Sequence, residues 1–513
     1  MAYYRNLREH LETLEHAGLL TRIKRPINKD TEMHPLVRWQ FRGLDEGQRR
    51  AFYFERVVDS AGRSYGIPVL IGGLAASQKI YALGLRCSEG EVEARWTEAL
   101  HKPIAPVLVK DGPVKEVIYK GASLKAKGGL EELPIPISTP GFDNAPYFTA
   151  GCWITKDPET GIQNMAVYRG QVKGPLKTGI SWGSLKNSAV HWEKCNRLGR
   201  PIEVVKCETV DLVVPAHAEI VIEGRIPTDY LEPDGPFGES HGYEDPGDLT
   251  GVFEVTCITH RKDPVFVSMI SQLTPSESSK VKQSAFETFA LTHLRQKVGQ
   301  GIIKVALYEE LLNRQMMVIQ MKKESLDDPR RAMESLLKTR AAAKIMICVD
   351  PDIDPYDLLA VHWAIANRSQ PHRDVKIAEN RPLPWNPIRY VADGKRYDMT
   401  DSALMIDATL KAKLPPVALP KQEYMEKARL IWEELGLPKL TPRTPWHGYS
   451  LGYWPEEDIQ QAQRATLGQY YLNADLLASK GVKVTKGESF EELKQKFLSE
   501  ELAALRRETS EED

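Results

Sequence analysis

Two carboxylates and one arginine stand out in this sequence because the residues around them can bring them together. Asp234 and Glu239 lie in the run LEPDGPFGE at 231–239, and Arg169 ends the earlier run NMAVYR. Two glycines and two prolines cannot continue a helix, so both carboxylates are predicted to lie on a folded turn. Such a turn can aim them into one small volume, where each raises the proton affinity of the other. An arginine beside them would hold one ionised and leave the other to carry a proton, which is an acid–base site in outline.

The acidic turn also has a simpler interpretation. A tight hairpin corner with two solvated acids would show the same residues, and the turn taken alone favours that interpretation. A nicotinamide-dependent or nucleotide-hydrolysing enzyme has no local support, because the sequence contains neither a Gly-x-Gly-x-x-Gly motif nor a Walker loop. The choice between an acid–base site and a plain corner therefore depends on the rest of the chain.

Composition agrees with a large soluble enzyme, and a cytoplasmic location is expected. The length of 513 residues suggests two to four domains, and 68 basic against 70 acidic residues give a formal charge of -2. This balance argues against nucleic acid or a membrane surface as the main partner. The first residues predict a charged amphipathic helix rather than a signal peptide, and the longest apolar run, 67–76, is too short to span a bilayer. The 6 cysteines are scattered, which is typical of reduced thiols.

The order of apolar and polar segments predicts a mixed α/β fold. The first region reads as strand and helix, and the second carries short β-like segments broken by Gly, Pro and Asp, which suits a barrel or twisted sheet. A long helix links this region to a last one in which strands and helices alternate before the chain becomes helical. The predicted boundaries are 1–106, 107–275, 276–298 and 299–513.

The final helix is predicted from a capping box at Ser489 and an apolar stripe that includes Phe490 and Phe497. An apolar face of this size needs cover. It is expected either to dock on its own chain or to contact another subunit.

The residues around the acidic turn resemble the UbiD family of prenylated-flavin decarboxylases. Asn-x-x-x-Tyr-Arg at 164–169 is followed by Pro-Asp-Gly-Pro-Phe-Gly-Glu at 233–239 and by His-Gly-Tyr at 241–243. Further segments match in the same order, at 6–15, 18–23, 66–70, 132–137, 215–224, 344–350 and 405–409. The resemblance implies that the central region is a split β-barrel that carries the flavin, and that the C-terminal region associates with other subunits.

The resemblance also implies a division of labour at the site. Prenylated FMN would act as an electrophile that bonds to the substrate carbon bearing the carboxylate. Glu239 matches the proton donor, Asp234 matches its carboxylate partner, and Arg169 matches the arginine that tethers both acids. Asn164 matches a ligand of a manganese ion, with potassium as a further metal, beside the flavin phosphate. The implied cofactor-contacting residues are Asn164, Val167, Tyr168, Arg169, Ser181, Trp182, Gly183, Lys186 and Asn187.

Three departures accompany the match. Leu185 stands where the family has a metal-binding histidine; His191 is a candidate substitute, and a structural histidine is the alternative there. Ala403 stands where the family has a flavin-contacting lysine. Between Arg200 and Pro201 the family has roughly 30–40 more residues, including a metal-binding glutamate, which is more than an ordinary loop. This gap is either a natural deletion or a stretch missing from the numbered sequence.

Two functional classes stay open. The first is a lyase that decarboxylates an aromatic or α,β-unsaturated acid, or carboxylates in reverse, with CO2 as the other reactant and a flavin prenyltransferase supplying the cofactor. The second is a cofactor-poor structural subunit of a multi-subunit carboxylase. Asn164, Arg169 and Glu239 favour the lyase, whereas Leu185, Ala403 and the gap after Arg200 favour the subunit. A homodimer or higher oligomer, or a place in a carboxylase complex, is expected in either case.

Overall fold

The chain divides into two compact units, Met1–Lys411 and Ala412–Asp513. The computed structural model describes residues 3–182, 186–199, 208–210, 212–311, 315–339, 341–382, 400–443, 445–448, 451–481 and 483–499. Gly183, Leu185 and the junction between Arg200 and Pro201 lie outside these residues. The finer division predicted at 106, 275 and 298 stays a prediction.

The N-terminal part of the first unit is a sheet packed against helices. Asn6 caps the first helix by accepting the N–H groups of Arg8 at 3.0 Å and Glu9 at 3.2 Å. The sheet has the order β1-β2-β4-β16, with β3 beside β2. Its elements are α1 (Leu7–His16), β1 (Leu20–Asn28), α2 (Met33–Gly43), β2 (Ala51–Val58), β3 (Ser64–Tyr65), β4 (Val69–Ile71), α3 (Gln78–Gly84), α4 (Val92–His101) and, from later in the chain, β16 (Phe266–Val267).

The central part is built around one long strand, β15 (Asp248–His260), which pairs with four others. Within the described residues the strands form an open sheet of order β11-β15-β10-β9-β6, with β12 and β5 also on β15, and separate pairs β7-β8 and β13-β14. The remaining elements are β5 (Val117–Lys120), α5 (Ala122–Ala126), β6 (Tyr147–Phe148), β7 (Cys152–Lys156), β8 (Gln163–Val167), β9 (Gly170–Gly174), β10 (Lys177–Ile180), α6 (Asn187–Arg197), β11 (Ile220–Arg225), β12 (Leu231–Asp234), β13 (Phe237–Gly238) and β14 (Glu244–Asp245).

A long helix, α7 (Glu277–Lys297), leads into an α/β layer, as the sequence predicts. The order is β17-β18-β19-β21-β20, in which β18, β19 and β21 are parallel and both edge strands are antiparallel. Apolar runs without alternation form the parallel strands because helices cover them. The elements are β17 (Ile302–Leu307), β18 (Met316–Met321), α8 (Asp328–Leu337), β19 (Ile345–Val349), α9 (Leu358–Arg368), α10 (Pro371–Asp374), β20 (Val375–Pro382) and β21 (Thr400–Ala408).

The second unit is helical where it is described. Its helices include α11 (Gln422–Glu434), α12 (Glu456–Thr466) and α13 (Tyr470–Ser479). The predicted capping box is present: Ser489 Oγ donates to Glu492 Oε2 at 2.7 Å and accepts the N–H of Glu492 at 3.2 Å. Among the described residues, no helix is both long enough and apolar enough to cross a bilayer. The mixed α/β class predicted from the sequence is confirmed.

Candidate active site

Arg169 lies between β8 and β9, and the backbone around it is held on two sides. The indole Nε1 of Trp153 donates to the carbonyl of Tyr168 at 2.8 Å, and the N–H of Ser181 donates to the carbonyl of Arg169 at 3.0 Å. Gly170 follows, and a Cβ there would lie 2.7 Å from Trp153 Cζ2, so a glycine is needed at this position. These contacts fix the backbone at Arg169 and therefore the direction of its side chain.

The two predicted acids flank the turn between β12 and β13. Asp234 is the last residue of β12, where it pairs with Asp248 of β15, and it is 2% exposed. Glu239 follows β13; its N–H donates to the carbonyl of Tyr243 at 3.0 Å, which closes the short β13-β14 hairpin. Pairing to the long strand positions the first acid, and the hairpin positions the second.

The guanidinium of Arg169 joins three carboxylates. Its Nε lies 2.9 Å from Asp234 Oδ2, its Nη1 lies 2.6 Å from Glu239 Oε1, and its Nη2 lies 3.6 Å from Asp245 Oδ2. The arginine side chain is 11% exposed and lies over the ring of Phe237 at 4.9 Å. A planar fork that holds two short charge-assisted bonds fixes both acids in direction as well as in distance. The structure thus brings together the three residues that the sequence singles out.

Burial raises the proton affinity of the two acids. Removal from water raises the pKa of Glu239, and the charge of Asp245 adds to this rise, while Arg169 opposes it. Burial also raises the pKa of Asp234, again against Arg169. The pKa of Arg169 is lowered by burial but raised more by the three acids, so the arginine stays charged. A carboxyl that can hold a proton therefore sits against a fixed positive charge.

The start of α6 lies beside Asn164. The amide of Asn187 donates through Nδ2 to Asn164 Oδ1 at 2.9 Å, and Asn164 Nδ2 is buried without a hydrogen-bond partner in the described structure. Lys186 precedes the helix with its ammonium 5.1 Å from the centre of the Tyr168 ring, and burial lowers its pKa. Amide donors, a lysine and a helix N-terminus are groups that bind phosphate.

The other predicted cofactor-contacting residues differ in how far they are exposed. Val167 is 52% exposed at the end of β8, and Trp182 is partly buried against the core. Tyr168 is 6% exposed and belongs to the hydrophobic core. Gly183 lies outside the described residues.

His191 is engaged by protein groups. Its Nδ1 lies 2.9 Å from Thr155 Oγ1, and its Nε2 lies 3.9 Å from Asp157 Oδ2, which is itself bonded to Lys194 at 2.6 Å. Burial lowers the pKa of His191. The described residues contain no group of three or more His, Cys, Asp or Glu side chains that could hold a metal ion. A metal-binding role for His191 stays a prediction, and its surroundings resemble those of a structural histidine.

Several charged groups of this site are missed by the sequence analysis. Asp245 contacts Arg169, Lys282 acts on Glu239, and Glu244 lies across the hairpin from Gly238. The acidic run after residue 239 is the one sequence signal that points to Glu244 and Asp245. Lys282 lies on α7, far along the chain, and carries no motif.

An apolar cavity of about 520 Å³ lies near the same strands but outside this charged cluster. Thr178 and Phe253 line it, whereas Gly179, the next residue of β10, lies against Asp234. Neighbouring residues of a strand point to opposite faces of a sheet, so the cavity and Asp234 lie on opposite sides. Its other lining residues include Trp153, Ile154 and Met165.

Comparison with solved structures finds close likeness in fold. HmfF of Pelotomaculum thermopropionicum, described as a UbiD-class enzyme in complex with FMN, is 29% identical with a TM-score of 0.70, over 82% of this chain and 99% of that one. Vanillic acid decarboxylase of Sedimentibacter hydroxybenzoicus, in closed form, has a TM-score of 0.71 at 24% identity, over 84% and 100%. Among sequences, an uncharacterized protein of Archaeoglobus fulgidus is 28% identical over 500 residues, which is 84% of this chain and 98% of that protein.

Two family models match the chain. The 3-octaprenyl-4-hydroxybenzoate carboxy-lyase Rift-related domain matches residues 107–201 and 197–273, and the C-terminal domain of the same enzymes matches 282–408. The first match is split in two where the sequence analysis places a missing segment. With more than half of its length matched, the chain belongs to the UbiD family of carboxy-lyases.

Proposed function

We propose that this protein catalyses the reversible, non-oxidative decarboxylation of an aromatic or α,β-unsaturated carboxylic acid with prenylated FMN. Glu239 is the proton donor, and Arg169 and Asp234 hold it in place. The observation that carries this proposal is the double ion pair of Arg169, at 2.9 Å to Asp234 and 2.6 Å to Glu239, around a carboxyl whose pKa burial raises. Decarboxylation replaces a carboxylate by a proton, and this cluster offers a cation for the first and a proton for the second.

Each member of the cluster has a distinct task in this proposal. Asp234 is nearly inaccessible, so it stays with Arg169 and orients the guanidinium. The third contact of the guanidinium, to Asp245, is long at 3.6 Å, which leaves Nη2 to receive the substrate carboxylate. Glu239 then lies on the same guanidinium as the departing carboxylate, and it delivers its proton to the carbon that carbon dioxide leaves.

The residues at the start of α6 suit the phosphate of a flavin mononucleotide. Asn164, Asn187 and Lys186 would hold it, because an unpartnered buried amide and a helix N-terminus both favour an anion. When bound, prenylated FMN would supply the electrophilic carbon that stabilises the charge left by carbon dioxide. Manganese or potassium fits less well, because Asn164 Oδ1, the oxygen that would ligate a metal, already accepts from Asn187, and His191 is bonded to Thr155. We therefore derive no step from a metal.

A second candidate is a structural subunit of a multi-subunit carboxylase. The split family match at residues 197–201 favours it, because a missing segment would remove part of the cofactor site. Leu185 and Ala403 point the same way.

Co-expression with a flavin prenyltransferase separates the two candidates. We expect the purified protein to show flavin absorbance and to release carbon dioxide from one member of a panel of aromatic and unsaturated acids in D2O, with deuterium at the vacated carbon. Glu239→Gln should keep the flavin and lose the reaction. A wild-type protein without flavin would support the structural subunit instead, and wild-type turnover by Glu239→Gln would remove Glu239 as donor.

A further inference from the structure

Gly238, the residue before Glu239, is enclosed by polar side chains. A Cβ at this position would lie 2.7 Å from Gln272 Cγ, 2.8 Å from Thr139 Oγ1 and 3.1 Å from Glu244 Oε1. Glu244 is the partner of Gly238 across the β13-β14 hairpin. The absence of a side chain at Gly238 therefore gives the Glu244 carboxyl its place beside the backbone that carries Glu239.

A second carboxyl, Asp143, approaches the same glycine from the segment before β6. Asp143 is 9% exposed, and its Oδ2 accepts the N–H groups of Ser138 at 3.1 Å and Thr139 at 2.7 Å. The N–H of Gly238 acts on the same carboxylate. Asp143 Oδ1 and Glu244 Oε2 are both buried, and neither has a hydrogen-bond partner in the described part of the chain. A buried acid and a partly buried acid thus meet at Gly238, each with one buried oxygen that lacks a hydrogen-bond partner among the described residues.

Two neighbouring carboxyl groups in these surroundings are more stable with one negative charge between them than with two. Burial and the carboxylate of Asp143 raise the pKa of Glu244 to about 7, and burial raises the pKa of Asp143 as well. The other charged groups that act on Glu244 are Arg169, before β9, which opposes the rise, and Glu239, after β13, which adds to it. At neutral pH, Glu244 therefore exchanges a proton readily.

We propose that Glu244 supplies protons to Glu239 during turnover, and that the neighbouring carboxylate of Asp143 keeps Glu244 protonated. This inference rests on the proposed decarboxylation. After Glu239 gives its proton to the product carbon, the Glu239 carboxylate takes a proton from the Glu244 carboxyl, directly or through water, and Glu244 takes one from solvent. Glu244 acts through Glu239 and does not itself touch substrate. Because it is only partly buried, it connects the Arg169 cluster to solvent when substrate covers Glu239.

Infrared titration of the full-length protein tests the first half of this inference without any substrate. A carboxyl band that titrates near pH 7 should be present in the wild type and missing from Glu244→Gln. Glu277 and Glu287 also have pKa values raised to about 7, so their bands should remain in the variant. Asp143→Asn should move the Glu244 band to lower pH, because a neighbouring negative charge is gone. Identical titrations of wild type and Glu244→Gln would overturn the inference.

Kinetics of the flavin-loaded enzyme test the second half. Glu244→Gln should lower kcat about 100-fold, at the lower end of what general acid–base catalysis contributes, and small acids such as imidazolium should restore much of it. Glu239→Gln should not be restored, and Glu254→Gln, an exposed control on β15, should match the wild type. An unchanged kcat and pH profile in Glu244→Gln, or a loss that no small acid restores in folded protein, would overturn the relay while leaving Glu239 as donor. A wild type without any decarboxylation would overturn both.

Discussion

The charge balance of this site depends on Arg169. Three carboxylates converge on one guanidinium that is 11% exposed, so each acid depends on the arginine for compensation of its charge. The desolvation penalty of these groups is offset only while all partners are present. The site is consequently sensitive to the geometry of the fork as well as to its charge.

Replacement of the arginine should therefore destabilise the protein in a pH-dependent way. We expect Arg169→Ala to cost about 3 kcal/mol of unfolding free energy at pH 8, because two buried carboxylates lose their partner. The cost should shrink at low pH, where both acids are protonated. Denaturant unfolding at pH 5 and pH 8 measures this difference. Arg429→Ala is a matched control, since Arg429 also bridges two glutamates, at 2.8 Å and 2.6 Å, but is 40% exposed; an equal loss in both variants would contradict the prediction.

Glu287 on α7 offers a second test at the residue scale. Its Oε1 accepts the N–H of Leu307 at 2.9 Å and the hydroxyl of Tyr356 at 2.9 Å, and burial raises its pKa from 4.5 to about 7. Because the folded state binds the proton more tightly, the stability it contributes is present below pH 4.5 and is lost as the pH rises through 7.

Glu287→Gln keeps the acceptor oxygen and removes the charge. We expect the variant to have a higher free energy of unfolding than the wild type at pH 8. The difference between variant and wild type should be about 2 kcal/mol larger at pH 8 than at pH 5. Thermal unfolding at the two pH values measures this, with Glu12→Gln on the exposed side of α1 as the control. A pH-independent difference would show that Glu287 is not the titrating group.

At the scale of elements, the site is held by contacts that leave no room for a side chain. Trp153 of β7 packs against Gly170 at the start of β9, and the same segment places Arg169. The β13-β14 hairpin is packed in the same way, because the absence of a side chain at Gly238 lets Gln272, Thr139 and Glu244 lie against its backbone. Short strands without hydrophobic alternation are thus specified by close packing more than by propensity.

Gly170→Ala should disturb both packing and function. The added Cβ would lie 2.7 Å from Trp153 Cζ2 and 3.1 Å from the Gly179 carbonyl oxygen, so the strand or the indole must move. We expect a loss of about 1–3 kcal/mol and a displaced Arg169, seen as a reduced rate with retained flavin. Gly47→Ala, where a Cβ meets nothing within 4 Å, should be neutral. Wild-type stability of Gly170→Ala would contradict this account of the strand.

At the scale of the whole molecule, the second unit exposes many large apolar side chains. Leu467, Tyr470 and Leu477 are 72%, 69% and 59% exposed, and Phe490 at the start of the last helix is 80% exposed. Apolar surface of this kind marks association sites in soluble proteins.

We expect the purified protein to be a dimer or larger at micromolar concentration. Leu477→Glu should shift it toward the monomer, because a charge on α13 would have to be buried in the contact. Asp475→Ser, a polar exchange on the same helix, should leave the assembly unchanged. Light scattering measures both, and a clean wild-type monomer would count against the prediction.

The sequence by itself determines the chemistry-bearing residue types and the class of fold. Arg169, Asp234 and Glu239 can be predicted because glycines and prolines mark the turn locally, and because their order along the chain resembles one family. The parallel strands at Met316–Met321 and Ile345–Val349 can be predicted because buried strands are continuously apolar.

Only the tertiary structure decides which other groups join the site. Asp143 and Lys282 come from distant segments of the chain, and His191 turns toward Thr155 and Asp157. No periodicity or local motif encodes these contacts. They arise where separate segments of the chain pack together. Long-range packing sets both the distance between charges and their removal from water, and these two quantities set the pKa values on which the proposed chemistry depends.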